Sequence, residues 1–192
     1  MPPPPWTCLA DAAALAFTLH GAQYRKGTSI PYIAHLMSVS ALVLEHGGDE
    51  DQAIAGLLHD AIEDAGAAQE PIIAARFGPR VAAIVRACTD ADTLPKPPWR
   101  GRKEAYLAHL EHVPAEVLLV SACDKLHNAR AIAGDLKIHG PDMFARFNAG
   151  QEGTLWYYDA LATVFSRRLP GPLAAELRET VDEMLRRAKG AG

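Results

Sequence analysis

The chain has little cysteine, no excess of positive charge and no long apolar run. Each shortage narrows what it can be. Its three cysteines, Cys8, Cys88 and Cys123, are odd in number, widely spaced and never in a CxxC pair. That excludes a disulfide framework and a thiolate zinc site, fits a reducing cytoplasm, and leaves all three to serve as small buried hydrophobes. Lys and Arg number 19 against 23 Asp and Glu, a formal net charge of −4, which argues against a protein that coats nucleic acid or an anionic membrane. No uninterrupted apolar stretch approaches the roughly 18 residues that would span a bilayer. The run from Leu9 to Leu19 is broken by Asp11, ends at His20 and lacks a basic lead, so it is not expected to act as a signal peptide. Sustained period-two alternation and internal repeats are also missing, which removes the usual marks of a sheet or a solenoid.

What is present is ordinary globular material: 192 residues, 49% hydrophobic and 22% charged. That length suits one domain with a substantial core. Residues 1–6, with the prolines Pro2 to Pro5, read as an unstructured lead, and Leu9 to Ala22 as an Ala-rich helix. A second helix starts at Pro31 and runs through Ile33, Leu36, Met37 and Leu44 to the stop at Gly47-Gly48. Asp49 to Asp51 can cap a third, which carries Ala53, Ile54, Leu57, Leu58 and Ile62 inward and extends through Asp64. Further helical periodicity covers Pro71 to Phe77, Pro79 to Cys88, Gly101 to His112, Ala115 to Ala133 and Gly153 to Arg168. Shorter pieces are expected after Gly134. A last amphipathic helix over 173–189 packs on the same domain. Thr89 to Arg100, with three prolines, is a loop long enough to suspect a binding role. The fold class is all-α, a helical bundle forming a single domain over 1–192.

The chemistry concentrates in His59-Asp60-Ala61-Ile62-Glu63-Asp64. On a helix advancing about 100° per residue, His59 and Asp60 are neighbours, Glu63 lies a turn beyond both, and Asp64 a turn beyond Asp60. Such an edge is either a solvated face with intrahelical hydrogen bonds or a cation site, because crowded carboxylates on a mostly buried helix need compensation. Imidazole and carboxylate without thiolate suit manganese, iron, cobalt or zinc better than calcium. Two more residues stand where helices could converge on this edge. One is His35, near the start of the second helix. The other is Asp124, which ends the apolar run Val117 to Cys123 and needs a cation if buried, with Lys125 expected on a different helix face.

The order His35, His59-Asp60, Asp124 resembles the H…HD…D ligand set of the HD superfamily. With Arg25-Lys26-Gly27, Pro31-Tyr32-Ile33, Glu63-Asp64 and Asp124-Lys125-Leu126-His127-Asn128-Ala129-Arg130, it is similar to the hydrolase domain of RelA/SpoT proteins and the stand-alone small alarmone hydrolases. The resemblance covers roughly Leu9 to Arg130 and, more weakly, the Trp156-Tyr157-Tyr158 region. It departs at Leu36, where the family often has Pro, and at Ala131, where some members have a hydroxyl residue.

The resemblance implies that His35, His59, Asp60 and Asp124 hold one divalent metal, usually manganese, and that Glu63 and Asp64 activate or position the attacking water. It implies ppGpp or pppGpp as a small nucleotide substrate, cleaved at the 3′ side to give GDP or GTP and pyrophosphate. Arg25 and Lys26 would lie against base and phosphates, and Asn128 near the ribose. Lys96, Arg102 and Lys103 are candidates for phosphate contact or simple surface charge, Arg146 and Tyr158 are further substrate candidates, and Trp156 and Tyr157 are core aromatics. A chain of this length is expected to hydrolyse alarmone and not to synthesise it. Two other readings stay open: an HD phosphohydrolase of another nucleotide, such as a deoxynucleoside monophosphate or NADPH, and a non-catalytic nucleotide-binding module.

Overall fold

Helix capping and glycine turns set most of the element boundaries. The structure, a computed structural model, describes residues 6–93 and 95–190; the lead expected at Pro2 to Pro5 lies outside them. Among the described residues there are ten α-helices, one 3-10 helix and no strand beyond an isolated bridge between Tyr24 and Pro31, so the all-α expectation holds. Contacts divide the chain into two compact units, the first ending at Asp92 and the second starting at Thr93.

The first unit holds α1 (Thr7–His20), α2 (Tyr32–Glu45), α3 (Glu50–Leu58), α4 (Ala61–Ala65), α5 (Gln69–Phe77) and α6 (Pro79–Cys88). Helix α3 is its centre, buried from Gln52 through Leu58 and packed on α1, α2 and α6. A capping box starts it: Asp49 accepts from the Gln52 amide at 3.0 Å, and Gln52 Oε1 accepts from the Asp49 amide at 3.1 Å. Gly56 lets α2 and α3 approach closely, since a Cβ there would lie 3.1 Å from Ser40 Cα. Ser40 Oγ then donates to the Ala53 carbonyl at 2.9 Å, so a polar atom in this tight contact stays satisfied.

One expected boundary fails here. The helix foreseen through Asp64 is interrupted at His59 and Asp60, because ψ climbs to −1° at Asp60 and turns the chain out of the helical ladder. The short α4 resumes one residue later.

The second unit holds α7 (Trp99–Leu110), α8 (Ala115–His139), a 3-10 helix over Gly140–Arg146, α9 (Gly150–Arg168) and α10 (Pro172–Ala188). Helix α10 lays Leu173, Leu177, Val181 and Met184 against α8 and α9. Fully burying each such side chain contributes roughly 1.5–3 kcal/mol. The expected stop near Gly134 is also wrong: α8 runs on to His139, because Ile132, Ala133 and Leu136 are buried and that packing outweighs a glycine cost of about 1 kcal/mol. The cysteines are free, yet only Cys123 is buried; Cys8 is exposed and Cys88 half-buried.

Candidate metal centre

The helix break places the histidine–aspartate pair at a junction, with His59 closing α3 and Asp60 opening α4. His59 is 2% exposed and its Nδ1 lies 2.8 Å from the Gly56 carbonyl oxygen. A carbonyl only accepts, so Nδ1 carries the hydrogen and Nε2 presents its lone pair. That Nε2 is 3.0 Å from Asp60 Oδ2. His35, on the first turn of α2 and 1% exposed, brings its Nε2 to 4.0 Å from the same oxygen. The two rings meet edge-on, with centroids 5.2 Å apart, and their ligand nitrogens lie within 4.8 Å of one another. Tyr32, one turn before His35, donates its hydroxyl to Asp60 Oδ2.

An imidazole lone pair facing a carboxylate oxygen is repulsive without a proton or a cation between them. The separations of 3.0 and 4.0 Å are those of atoms that share one cation about 2.0–2.2 Å from each. The donor set therefore fits a divalent metal: nitrogen and oxygen ligands, little solvent, and an outer hydroxyl and carbonyl that orient them.

Glu63 and Asp64 lie on α4, Glu63 half-buried and Asp64 with a side chain 30% exposed. Asp64 Oδ2 is 3.8 Å from Nδ1 of His20, the fully buried last residue of α1. Arg25 and Lys26 occupy a tight turn between α1 and α2. The Arg25 amide donates to the Ile30 carbonyl at 2.9 Å, and Thr28 returns to the Arg25 carbonyl through both amide and hydroxyl. Gly27, at φ +73°, supplies the left-handed residue that this turn needs.

In the second unit Asp124 is 6% exposed on α8. Lys125 does not point away from it as expected: Nζ reaches Asp124 Oδ2 at 2.5 Å, and the Asn128 amide donates to Oδ1 at 2.6 Å. The four-carbon stem bends back along the helix, because a buried carboxylate outweighs the nominal direction of the Cβ. Burial opposes the Lys125 charge, but Asp124 outweighs it, helped by Tyr106 and Tyr157, and holds the ammonium well above its ordinary range. Asn128, expected near a ribose, is at least partly engaged as a support for Asp124.

The other basic candidates have specific neighbours. Arg102 Nε donates to the Pro97 carbonyl at 3.1 Å, Lys103 lies 5.1 Å from the centre of the Tyr157 ring, and Lys96 is exposed. Arg146 is held by Asp135 and flanks the Phe147 ring. Tyr158 is buried on α9, Tyr157 is buried as expected of a core aromatic, and Trp156 is half-buried under the Arg100 guanidinium. Sequence reasoning gave no role to Tyr32 or His20. The available signal was that each ends or begins a helix beside a motif.

A helical chain that turns two buried imidazoles onto the carboxylate of a histidine–aspartate dyad falls in the class of proteins shaped to hold a divalent cation. A family model described as HD domain matches residues 12–155, and the chain belongs to that family. It is 32% identical over 133 residues to a probable guanosine-3′,5′-bis(diphosphate) 3′-pyrophosphohydrolase of Synechocystis, covering 67% of this chain and 17% of the relative. It therefore spans a minor part of that longer protein. A guanosine-3′,5′-bis(diphosphate) 3′-pyrophosphohydrolase of Danio rerio, MESH1, is 38% identical over 103 residues, 52% of this chain and 54% of the relative. Among solved structures, that of a metazoan ortholog of SpoT that hydrolyses ppGpp matches with TM-score 0.72 and 26% identity over 97% of both chains.

Proposed function

We propose that the chain hydrolyses ppGpp or pppGpp at the 3′ position, releasing pyrophosphate and leaving GDP or GTP. The observation that carries this reading is the match over 97% of both chains to the metazoan SpoT ortholog, a ppGpp hydrolase. One divalent cation, manganese by preference, is assigned to His35, His59, Asp60 and Asp124. When bound, such a cation neutralises charge on phosphoryl oxygens and lowers the pKa of water toward about 7.

The chain's own residues divide the remaining work. His59 and Asp60 are oriented by the Gly56 carbonyl and the Tyr32 hydroxyl. Asp64, partly open to solvent and one turn from Asp60, takes a proton from water, with Glu63 beside it orienting that water. Arg25 supplies a planar fork for phosphate or a face for the purine, and Lys26 a compact charge. Asn128, Lys96, Arg102, Lys103, Arg146 and Tyr158 are assigned to the remaining contacts with substrate, Asn128 through its place beside Asp124.

The family match from 12 to 155 runs across the boundary between the two units, which supports reading the chain as one HD-type domain. Three free cysteines support a reducing cytoplasm as its location. The net charge of −4 supports a small nucleotide and not nucleic acid as its partner, and no helix among the described residues is long and apolar enough to cross a membrane.

The test is to incubate the manganese-loaded protein with ppGpp, pppGpp, deoxynucleoside monophosphates and NADPH, and to measure pyrophosphate, phosphate and nucleoside products. Release of pyrophosphate from ppGpp is expected. Turnover of another nucleotide with ppGpp untouched refutes the substrate, and metal uptake with no turnover at all refutes the enzyme. Asp64→Ala should keep metal and lose turnover, whereas Asp124→Ala should lose metal.

A further inference from the structure

Among the ionisable side chains of the first unit, His20 is fully buried and the ligand set and the acid–base pair give it no task. It closes α1, and the fold draws three things around its ring. Gln23 Oε1 lies 2.8 Å from Nδ1, Asp64 Oδ2 lies 3.8 Å from the same nitrogen, and the Tyr32 ring packs against it at 5.7 Å between centroids. Both polar neighbours of Nδ1 are oxygens that accept, so Nδ1 carries the hydrogen and gives it to Gln23 Oε1, with Asp64 Oδ2 the next acceptor beside it. Among the described residues, Nε2 has no hydrogen-bond partner. A buried polar nitrogen left in that state costs stability, and an apolar residue would fill the same space without that cost.

We propose that His20 is a positioning residue for Asp64: its Nδ1–H, aligned by Gln23, fixes the direction of the carboxylate that handles the proton of the attacking water. The inference rests on the hydrolase reading, since it deepens the role of Asp64 within it. A separation of 3.8 Å is too long for a hydrogen bond. The proposal has it close when substrate is bound, since catalytic hydrogen bonds are commonly long in the empty state and tighten in the complex.

The arrangement also explains why the turn carrying Arg25 and Lys26 is built as it is. The Gln23 amide donates to the His20 carbonyl and the Gln23 carbonyl accepts from the Tyr32 amide, both at 2.9 Å. One residue thus ties the end of α1 to the start of α2, where Tyr32 holds Asp60. The proton-handling carboxylate and the ligand carboxylate are oriented from one short stretch of chain, the first through His20 and the second through Tyr32.

Two variants and one spectrum test this. His20→Phe keeps a ring of similar size without nitrogen; His20→Asn places an amide N–H where Nδ1 stood. With manganese loaded and ppGpp as substrate, His20→Phe should lose about 10–100-fold in kcat, the range typical of outer-shell support, with KM, metal content and helical circular dichroism unchanged. His20→Asn should recover most of that loss.

Independently of turnover, ring-nitrogen NMR on metal-free protein labelled with 15N-histidine should show His20 protonated at Nδ1, and Asp64→Asn should move that signal. The proposal is overturned if His20→Phe keeps wild-type kcat, if both His20 variants lose activity equally, or if the His20 signal ignores Asp64→Asn. If the wild type turns over no nucleotide, the hydrolase reading fails by itself, and the spectrum alone then decides whether His20 and Asp64 are coupled. Should His20→Phe fail to fold, His20→Asn and the spectrum decide.

Discussion

Tyr32→Phe removes one oxygen atom and separates the metal centre from the packing around it. The hydroxyl donates to Asp60 Oδ2, the oxygen that also faces His59 Nε2 at 3.0 Å. Asp60's side chain is 20% exposed, so the bond is only partly screened, and a hydrogen bond to a charged group at such a site contributes about 1.5–3 kcal/mol. Phenylalanine leaves no cavity, so the metal-free protein should lose about that much stability, or about 3–12 °C in Tm at roughly 2–4 °C per kcal/mol for a chain of this size.

The effect on metal depends on what the hydroxyl does to the carboxylate. If it merely stabilised Asp60 equally with and without a cation, affinity would not change. It holds Oδ2 against an imidazole lone pair, however, and without it the carboxylate swings away from that repulsion. An incoming cation must then bring it back, so the manganese Kd should weaken by about 10–100-fold, as for other outer-shell partners. Calorimetric titration of metal-free wild type and variant with manganese measures this directly. A Kd unchanged within about twofold, alongside the expected fall in Tm, would refute the reasoning and leave Tyr32 a purely structural residue.

Lys125→Met strips the ammonium from Asp124, and breaking so buried a pair should cost about 3–5 kcal/mol in metal-free protein. If Asp124 is a ligand, saturating manganese restores most of the lost Tm; equal losses with and without metal would count against it. The Lys125 pKa is raised above 10.5 by Asp124 despite burial, so its stabilisation is present below that pH and lost only above the folded value; the loss measured in denaturant melts should be flat from about pH 6 to 9. Gly134 is itself exposed on α8 with nothing within 4 Å of its would-be Cβ, and Gly134→Ala should raise stability by about 1 kcal/mol, read as a higher Tm. Arg187→Ala removes the first cause of the lowered Glu183 pKa. The surface pair should be worth about 0.3–0.5 kcal/mol, present above pH 4.5 and vanishing in melts at lower pH.

Much of the helix pattern was legible because apolar spacing and end signals agree. Asp49, Pro79 and the gap between Arg168 and the helix expected from 173 each mark a boundary that the structure keeps within a few residues. The cap at Asp49 is legible because its partner Gln52 stands only three residues away. The histidine–aspartate motif stood out too, because an imidazole and three carboxylates crowded on one short, mostly buried stretch need compensation. Gly134 misled for the opposite reason: a helix breaker read in isolation carries no information about the buried residues Ile132, Ala133 and Leu136 around it, and burial decided the outcome.

What escaped the sequence are side chains whose meaning depends on contacts made across the chain. Periodicity assumes that every residue of a run keeps the same dihedral pair, and a single shift at Asp60 moved the dyad from a helix edge to a junction. Lys125 was assigned by the direction of its Cβ to another face, and its long stem was free to return to the buried charge beside it. His20 and Asp64 stand on different helices, far apart in the chain and 3.8 Å apart in space. No spacing rule connects two such positions. Their relation comes from α1 packing against both α3 and α4, so it becomes visible only when the core is built. Residues that could bind a metal can be recognised by their type and order. The side chains placed beside such groups are recognised by what they touch, and that is why Tyr32 at Asp60 and His20 at Asp64 had to wait for the fold.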